Sequence, residues 1–461
     1  MRKQCSISVK TVFYLWSNGV LGDFVGVLPR TSRTAMAAYS SNQHCVEKLL
    51  DLSETHAIVA TEDIYDESGF KLLARGAQIS REMQDRLLLR KLKAPLESSL
   101  SVHDGVTVGE LMQGALALIE EYPALAHIAG GRIARGILRD GKSLHIPPPL
   151  CLLLTCVRNG DPESFRRAQI VAAICAGIAG QLDASSHDAQ LTLVASALHD
   201  IGEIYVNPEF LHPQRHLLPR EWKHVATHPH VGQLLIRDLT NLPVGVGACV
   251  AQHHEREDGS GYPGQLPRSE QHRLSAWLAV ADAAAALIDR GEESGERISL
   301  ALRIVPEEFD RQTSDVLIRA MQPLGHRVSR DAREGDETPQ AMLGRLEAAS
   351  GELRNIVDRQ RGDLLHQLCD KALELLDGFI KSVRATGLID VDVLSGEDLR
   401  DDGLLAEMQV IVSEVTWRMR NLARNLFLRV DAWNDDCAMS EIQRAIELLD
   451  GAPEESRPAA A

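Results

Sequence analysis

Between positions 150 and 325 the apolar residues recur at helical spacing. The runs ESFRRAQIVAAICAGIAGQL (163–182), AQLTLVASALHDIG (189–202), PREWKHVATHPHVGQLLIRDL (219–239) and HRLSAWLAVADAAAALI (272–288) carry them three and four residues apart. That period puts one face of each segment against a core, so a packed set of helices is the expected fold. Composition agrees: alanine and leucine are abundant and aromatic residues make up only 4% of the chain. The fold class read from the sequence is mainly α.

The 461 residues suffice for two to four domains. Residues 1–45 read as a poorly ordered tail, in which Met36 is a second candidate start. Its most apolar stretch, TVFYLWSNGVLGDFVGVLP (11–29), is interrupted by Ser17, Asn18 and Asp23 and is too polar for a membrane span. Residues 46–105 form a small β-containing module, in which HAIVATEDIYDESGFKLLARGAQIS (56–80) has short β-prone runs around a turn at Asp66-Glu67-Ser68-Gly69. A helix is expected over 81–92 and a helical connector over 106–149, closed by Pro147-Pro148-Pro149. The region 150–325 carries the chemistry. A charged linker (326–340) leads to a C-terminal helical domain (341–452), exemplified by SEVTWRMRNLARNLFLRV, and a tail (453–461).

The net charge of −16, without a lysine-rich tract, argues against a nucleic-acid polymer as partner. A small anionic ligand stays compatible, because a local metal or arginine cluster outweighs the global sign. Eight scattered cysteines with no CxxC pair point to reduced thiols and a cytoplasmic protein, not a disulfide framework or zinc ribbon. No membrane insertion is expected.

Polar residues interrupt the apolar helices at four places: His199-Asp200, His228, His253-His254 and Asp282. His228 alone reads most simply as an exposed residue at a helix start. Asp282 does not, because a carboxylate inside LAVADAAAALI is costly unless paired or metal-bound. Imidazoles and carboxylates without thiolates suit iron, manganese or zinc at a hydrolytic site, and an aspartate can bridge two ions.

The set His199-Asp200, His228, His253-His254-Glu255, Asp258-Gly259-Ser260-Gly261-Tyr262-Pro263 and Asp282 resembles the HD-GYP branch of the HD phosphohydrolase superfamily, which degrades cyclic di-GMP in bacterial signalling. The resemblance covers residues 150–325 and implies an HD-type helical bundle. The 56–80 hairpin looks like the small module that often precedes this domain. The resemblance makes His199, Asp200, His228, His253, His254 and Asp282 ligands of a two- or three-metal centre holding divalent iron or manganese. Gly259, Gly261, Tyr262 and Pro263 shape the loop beside the substrate, and Asp258 supports it.

Three positions depart from that family. HDIGE places Glu203 where the family has lysine; we class Glu203 with His199 and Asp200 among the catalytic positions. The helix before His199 has Ser164 and Arg167 where a further histidine is expected; Arg167 is then a candidate phosphate contact and Glu163 a candidate carboxylate ligand. AAAALIDRGEE after Asp282 lacks the family's arginine-rich stretch. The expected function is metal-dependent hydrolysis of cyclic di-GMP or another small phosphorylated nucleotide. The alternative is a degenerate domain that senses a nucleotide or binds a protein through the GYP loop or the C-terminal helices.

Overall fold

In the computed structural model, residues 39–40, 42–212, 215–288, 294–324, 337–359, 364–386 and 402–451 are described. The linker residues up to 336 and the tail after Gly451 lie outside them, as does all of the N-terminal extension before Tyr39. Helix α1 (Gln43–Ser53), not expected from the sequence, begins within the segment read as a tail, where the Asn42 side chain accepts the Cys45 N–H and caps it. Two-residue and three-residue strands follow: β1 (Tyr39–Ser40), which precedes α1, then β2 (Ile58–Ala60), β3 (Ile64–Tyr65), β4 (Lys71–Leu73), β5 (Lys91–Leu92) and β6 (Leu100–Val102).

β3 and β4 form the expected hairpin, with Ile64 opposite Leu73. Asp66 closes its turn by accepting from the Phe70 N–H and the Ser68 hydroxyl. β2, inside the same 56–80 segment, pairs instead with the distant β6, Ile58 opposite Val102. The helix expected over 81–92 shrinks to a short turn and α2 (Gln84–Leu88), because Lys91 and Leu92 are drawn into pairing with β1.

The connector breaks into α3 (Val108–Glu121), α4 (Pro123–Ala129) and α5 (Arg132–Gly141) at Pro123 and at Gly130-Gly131. Then come α6 (Pro148–Gly160), α7 (Pro162–Gln181), α8 (Ser186–Leu198), α9 (Pro219–Ala226), α10 (His228–Leu239), α11 (Val244–Gln252), α12 (Ser275–Ile288), α13 (Ser294–Ala301) and α14 (Arg311–Met321). Helix α7 is the central pillar. Its buried face, Ile170 to Ala179, packs against α3, α5, α8 and α12. One hydrophobic core runs from Cys45 to Met321, so the β-containing module, the connector and the helices of 150–325 share it.

A second core holds the C-terminal bundle of α15 (Pro339–Arg359), α16 (Leu364–Ala385), α17 (Asp402–Trp433) and α18 (Asp436–Asp450). Leu346, Leu376, Val415 and Ile442 are among its fully buried residues. Helix α17 also packs along α9, which sets the bundle beside the loop that follows α11.

Candidate metal centre

Each of the polar residues singled out above sits at the end of a helix or inside one. His199 closes α8, and Asp200 begins the tight turn 201–205. Gly202 lets that turn press on the start of α10: a Cβ there would lie 2.1 Å from the His228 carbonyl oxygen. The resulting contact brings Asp200 against His228. His253 closes α11, and Asp282 projects from the middle of α12.

Three histidines share one hydrogen-bond pattern. The Nδ1 of His199, His228 and His253 lies 2.7–2.8 Å from the carbonyl oxygen three residues before it, at Ser196, Val225 and Val250. A carbonyl oxygen only accepts, so each Nδ1 carries a proton, and each ring, when neutral, presents the Nε2 lone pair. Those Nε2 atoms converge on Asp200. His199 Nε2 is 2.9 Å from Asp200 Oδ2, while His228 and His253 Nε2 are 3.3 and 3.4 Å from Oδ1. His228 and His253 Nε2 face one another at 3.3 Å. Asp282 completes the group, 3.7 Å from His199 Nε2 and 3.5 Å from His254 Nδ1.

Two neutral rings that meet through lone pairs have no proton to share, and a neutral His199 likewise turns its Nε2 lone pair on the Asp200 carboxylate 2.9 Å away. A cation between such atoms satisfies both observations, so the residues present fit a metal ion. Two ligand sets follow: Asp200, His228, His253 and His254, and separately His199, Asp200 and Asp282. Asp200 belongs to both, as a bridging carboxylate does. Six of the seven residues expected as ligands, all but Glu163, therefore come together.

The electrostatics are those of a compact cluster. Burial pushes the His199 imidazole down, but Asp200 and Asp282 outweigh it and hold the group up at about 9. Burial alone pushes Asp200 up, and the surrounding histidines pull it well below the usual carboxylate range. His253 and His254 are held down, mainly by burial and then by neighbouring histidines for His254.

The flanking positions divide. Glu203 is half-buried on the same turn, and burial together with the Asp200 charge raises its carboxyl to about 7, while the Arg167 charge pulls it down. The Arg167 charge thus acts on Glu203, as that of His228 does. Glu163 does not join the cluster: it lies in the exposed first turn of α7 and pairs with Arg166 at 2.9 Å. A carboxylate ligand from this position is not supplied. The segment 289–293, where the missing arginine-rich stretch was noted, lies outside the described residues.

The Gly259–Pro263 loop packs directly on the cluster. Gly259 adopts φ +77°, and a Cβ on Gly261 would meet the His254 oxygen at 2.4 Å. Asp258 accepts the Ser260 N–H, and Tyr262 stacks on His254 with ring centroids 4.5 Å apart. Pro263 is exposed. Glu255, for which no role was expected, accepts the N–H groups of Gly264 (2.6 Å) and Leu266 (2.9 Å). Trp222, edge-on to Tyr262 at 5.2 Å, was also without a role.

Comparison with known proteins agrees with this geometry. Residues 153–314 match the family model described as HD domain. A cyclic di-GMP phosphodiesterase of Pseudomonas aeruginosa is 28% identical over 178 residues, 38% of this chain and 43% of the relative. A cyclic di-GMP phosphodiesterase response regulator of Xanthomonas campestris is 31% identical over 169 residues, 35% of this chain and 44% of the relative. Residues 153–314 are thus similar to an HD domain.

The HD domain thus accounts for the cluster, although the chain spans under half the length of these two relatives. A 3'3'-cGAMP-specific phosphodiesterase of Vibrio cholerae is 30% identical over 131 residues, 28% of this chain and 25% of the relative. Among solved structures, an HDG"Y"P protein from Bdellovibrio bacteriovorus matches with a TM-score of 0.32 and 16% identity, over 59% of this chain and 98% of that one. Among the described residues, no helix is long and apolar enough to cross a membrane.

Proposed function

We propose that the HD domain is a metal-dependent phosphodiesterase that hydrolyses a cyclic dinucleotide, cyclic di-GMP in the first instance. The observation that carries this reading is the convergence of three Nε2 lone pairs on Asp200, each ring fixed by a backbone carbonyl. Divalent ions, iron or manganese, would be held by Asp200, His228, His253 and His254 and by His199, Asp200 and Asp282, whose nitrogen and oxygen donors suit them. When bound, they supply Lewis-acid neutralisation of phosphate charge and an activated water.

The chain's own groups orient the reaction. Water adds to phosphorus in line with the 3′-oxygen, the P–O3′ bond breaks, and the leaving oxygen takes up a proton. Glu203 stands where the family has lysine. Its raised carboxyl repels phosphate oxygens less than an ordinary carboxylate does, and while protonated it can donate from a carboxyl oxygen. Arg167 offers a fixed cation beside it. Of the loop, Pro263 is the part open to a ligand, with Gly259, Gly261 and Tyr262 buried behind it.

A second reading is favoured by Glu203 and by the surface position of Glu163: a domain that binds the nucleotide without turning it over. One assay separates the two. The purified chain is incubated with cyclic di-GMP and Mn²⁺ or Fe²⁺, beside His199→Ala. Turnover that falls at least about a hundredfold in the variant supports hydrolysis, since even residues behind the ligands cost up to that much. Nucleotide binding without turnover in either metal supports the sensor.

A further inference from the structure

The side chains that hold the GYP loop come from both of the molecule's cores. From below, the HD domain offers acceptors: Asp258 takes the Ser260 N–H, the His254 carbonyl takes the Tyr262 N–H, and Glu255 takes those of Gly264 and Leu266. From above, helix α17 of the C-terminal bundle offers donors. The Asn425 amide, 4% exposed, donates to the carbonyl oxygens of Ser260 (2.9 Å) and Gly261 (3.3 Å). One turn later Arg429 donates to the Gly264 carbonyl (3.3 Å) and the Gln265 side chain (3.0 Å). The loop's amides and its carbonyls therefore have separate, complementary partners.

A column of rings runs beside these bonds. The Arg424 guanidinium lies 4.2 Å from the Trp222 ring, Trp222 meets Tyr262 edge-on, and Tyr262 stacks on His254. The seam between bundle and loop, bordered by His254, Tyr262, Phe379 and Asn421, holds only about 10 Å³. That is room for no more than one water, so a shift of α17 is passed on to the loop.

We propose that Asn425 is a positioning residue of the metal centre. By fixing the carbonyls of Ser260 and Gly261 it holds Tyr262 on the His254 ring, so the C-terminal bundle completes the site and is more than an attached partner-binding module. This rests on the reading of the HD cluster as a metal site. Leucine at 425 matches the side chain in size but leaves two buried carbonyls unsatisfied, whereas glutamine keeps the amide donor.

The test uses the full chain, with circular dichroism as a check on folding. Hydrogen exchange over residues 258–266 is measured without metal, and the visible spectrum is recorded on titration with Co²⁺. The expected result for Asn425→Leu is loop exchange about tenfold faster than wild type, together with a Co²⁺ spectrum altered in position or intensity. Asn425→Gln restores both at least in part. Arg429→Met, at a half-buried position, speeds exchange in the same direction and serves if the leucine variant does not fold. Unchanged exchange in Asn425→Leu and Arg429→Met overturns the inference. So does faster exchange with an unchanged Co²⁺ spectrum, because the loop would then be held without reaching His254. If the wild-type chain takes up no Co²⁺, the metal reading itself fails and the positioning role with it, while the exchange rates still decide whether Asn425 holds the loop.

Discussion

A neutral imidazole has one lone pair, and in this HD domain the backbone decides where it points. His199, His228 and His253 each give their Nδ1 proton to the carbonyl three residues before, which leaves three Nε2 atoms around one carboxylate. The protonation behaviour gives a test at this scale. His199 is held at about 9 against an ordinary 6.5, so in metal-free protein its contribution to stability is complete below pH 6.5 and is lost as pH rises through 9. Glu203, raised to about 7, loses stability in the same direction below that value; the lowered His253 and His254 act the opposite way, but only below pH 6.5. The melting temperature of chelator-treated protein is therefore expected to fall between pH 7 and pH 9. Thermal scans that show a rise over that interval contradict this charge arrangement.

The residues of the cluster were legible in the sequence because each is an anomaly in its surroundings. Asp282 lies among alanines, His199-Asp200 ends an apolar run, and the tandem His253-His254 precedes a glycine-rich turn. Glu163 misled because a sequence gives a helical position but not which turn of the helix the neighbours cover. Position 163 falls in the exposed first turn, whereas Ile170 and the residues after it are buried. Asn425 was hidden for the opposite reason. Arg418, Asn421, Asn425 and Arg429 recur at helical spacing, a pattern that usually marks a solvated face. Here the first three are 4%, 9% and 4% exposed, because that face lies against the GYP loop and the residues around Glu308.

At the scale of elements, the site depends on how closely the turn 201–205 approaches α10. Asn42 and Lys48 of the first helix segment hold that turn from the other side, donating to the Tyr205 and Glu203 carbonyls. The Tyr205 hydroxyl adds a bond to buried Glu97 at 2.6 Å. The β-containing module therefore braces the turn that carries Asp200. The hairpin within 56–80 was readable from its turn residues, but the pairing of β2 with β6 was not, since no local signal specifies a partner forty residues away. Gly202→Ala is expected to cost about 1–3 kcal/mol by forcing the turn away from α10. It is also expected to weaken metal binding, because Asp200 moves with the turn. A melting temperature and metal affinity equal to wild type contradict the close approach as the cause.

Across the whole molecule, two cores are joined through α17. Arg418 of that helix forms a buried ion pair with Glu308 at 2.7 Å and donates to the Ala301 carbonyl. Burial lowers the charge preference of the arginine, but Glu308 and Glu414 outweigh it and keep the group charged. Removing Arg418 leaves buried Glu308 with only the more distant Arg256, 3.8 Å away. Arg418→Met is therefore expected to lower stability by about 3–5 kcal/mol, and adding Glu308→Gln to recover part of the loss. Chemical denaturation of the two variants measures it; a double variant no more stable than the single one contradicts the pairing. That the last block would be helical was readable from its amphipathic pattern, but its packing over the GYP loop was not. With the inner side of that loop covered, Pro263 is its exposed part.

The metal centre is the claim on which the functional reading depends, and counting ions tests it without assuming a substrate. Protein purified anaerobically and supplied with iron or manganese is analysed for metal per chain, beside Asp200→Ala. About two ions per wild-type chain, falling to one or fewer when the shared carboxylate is removed, is the expected result. Less than one ion in the wild type, or a count unchanged by Asp200→Ala, contradicts it.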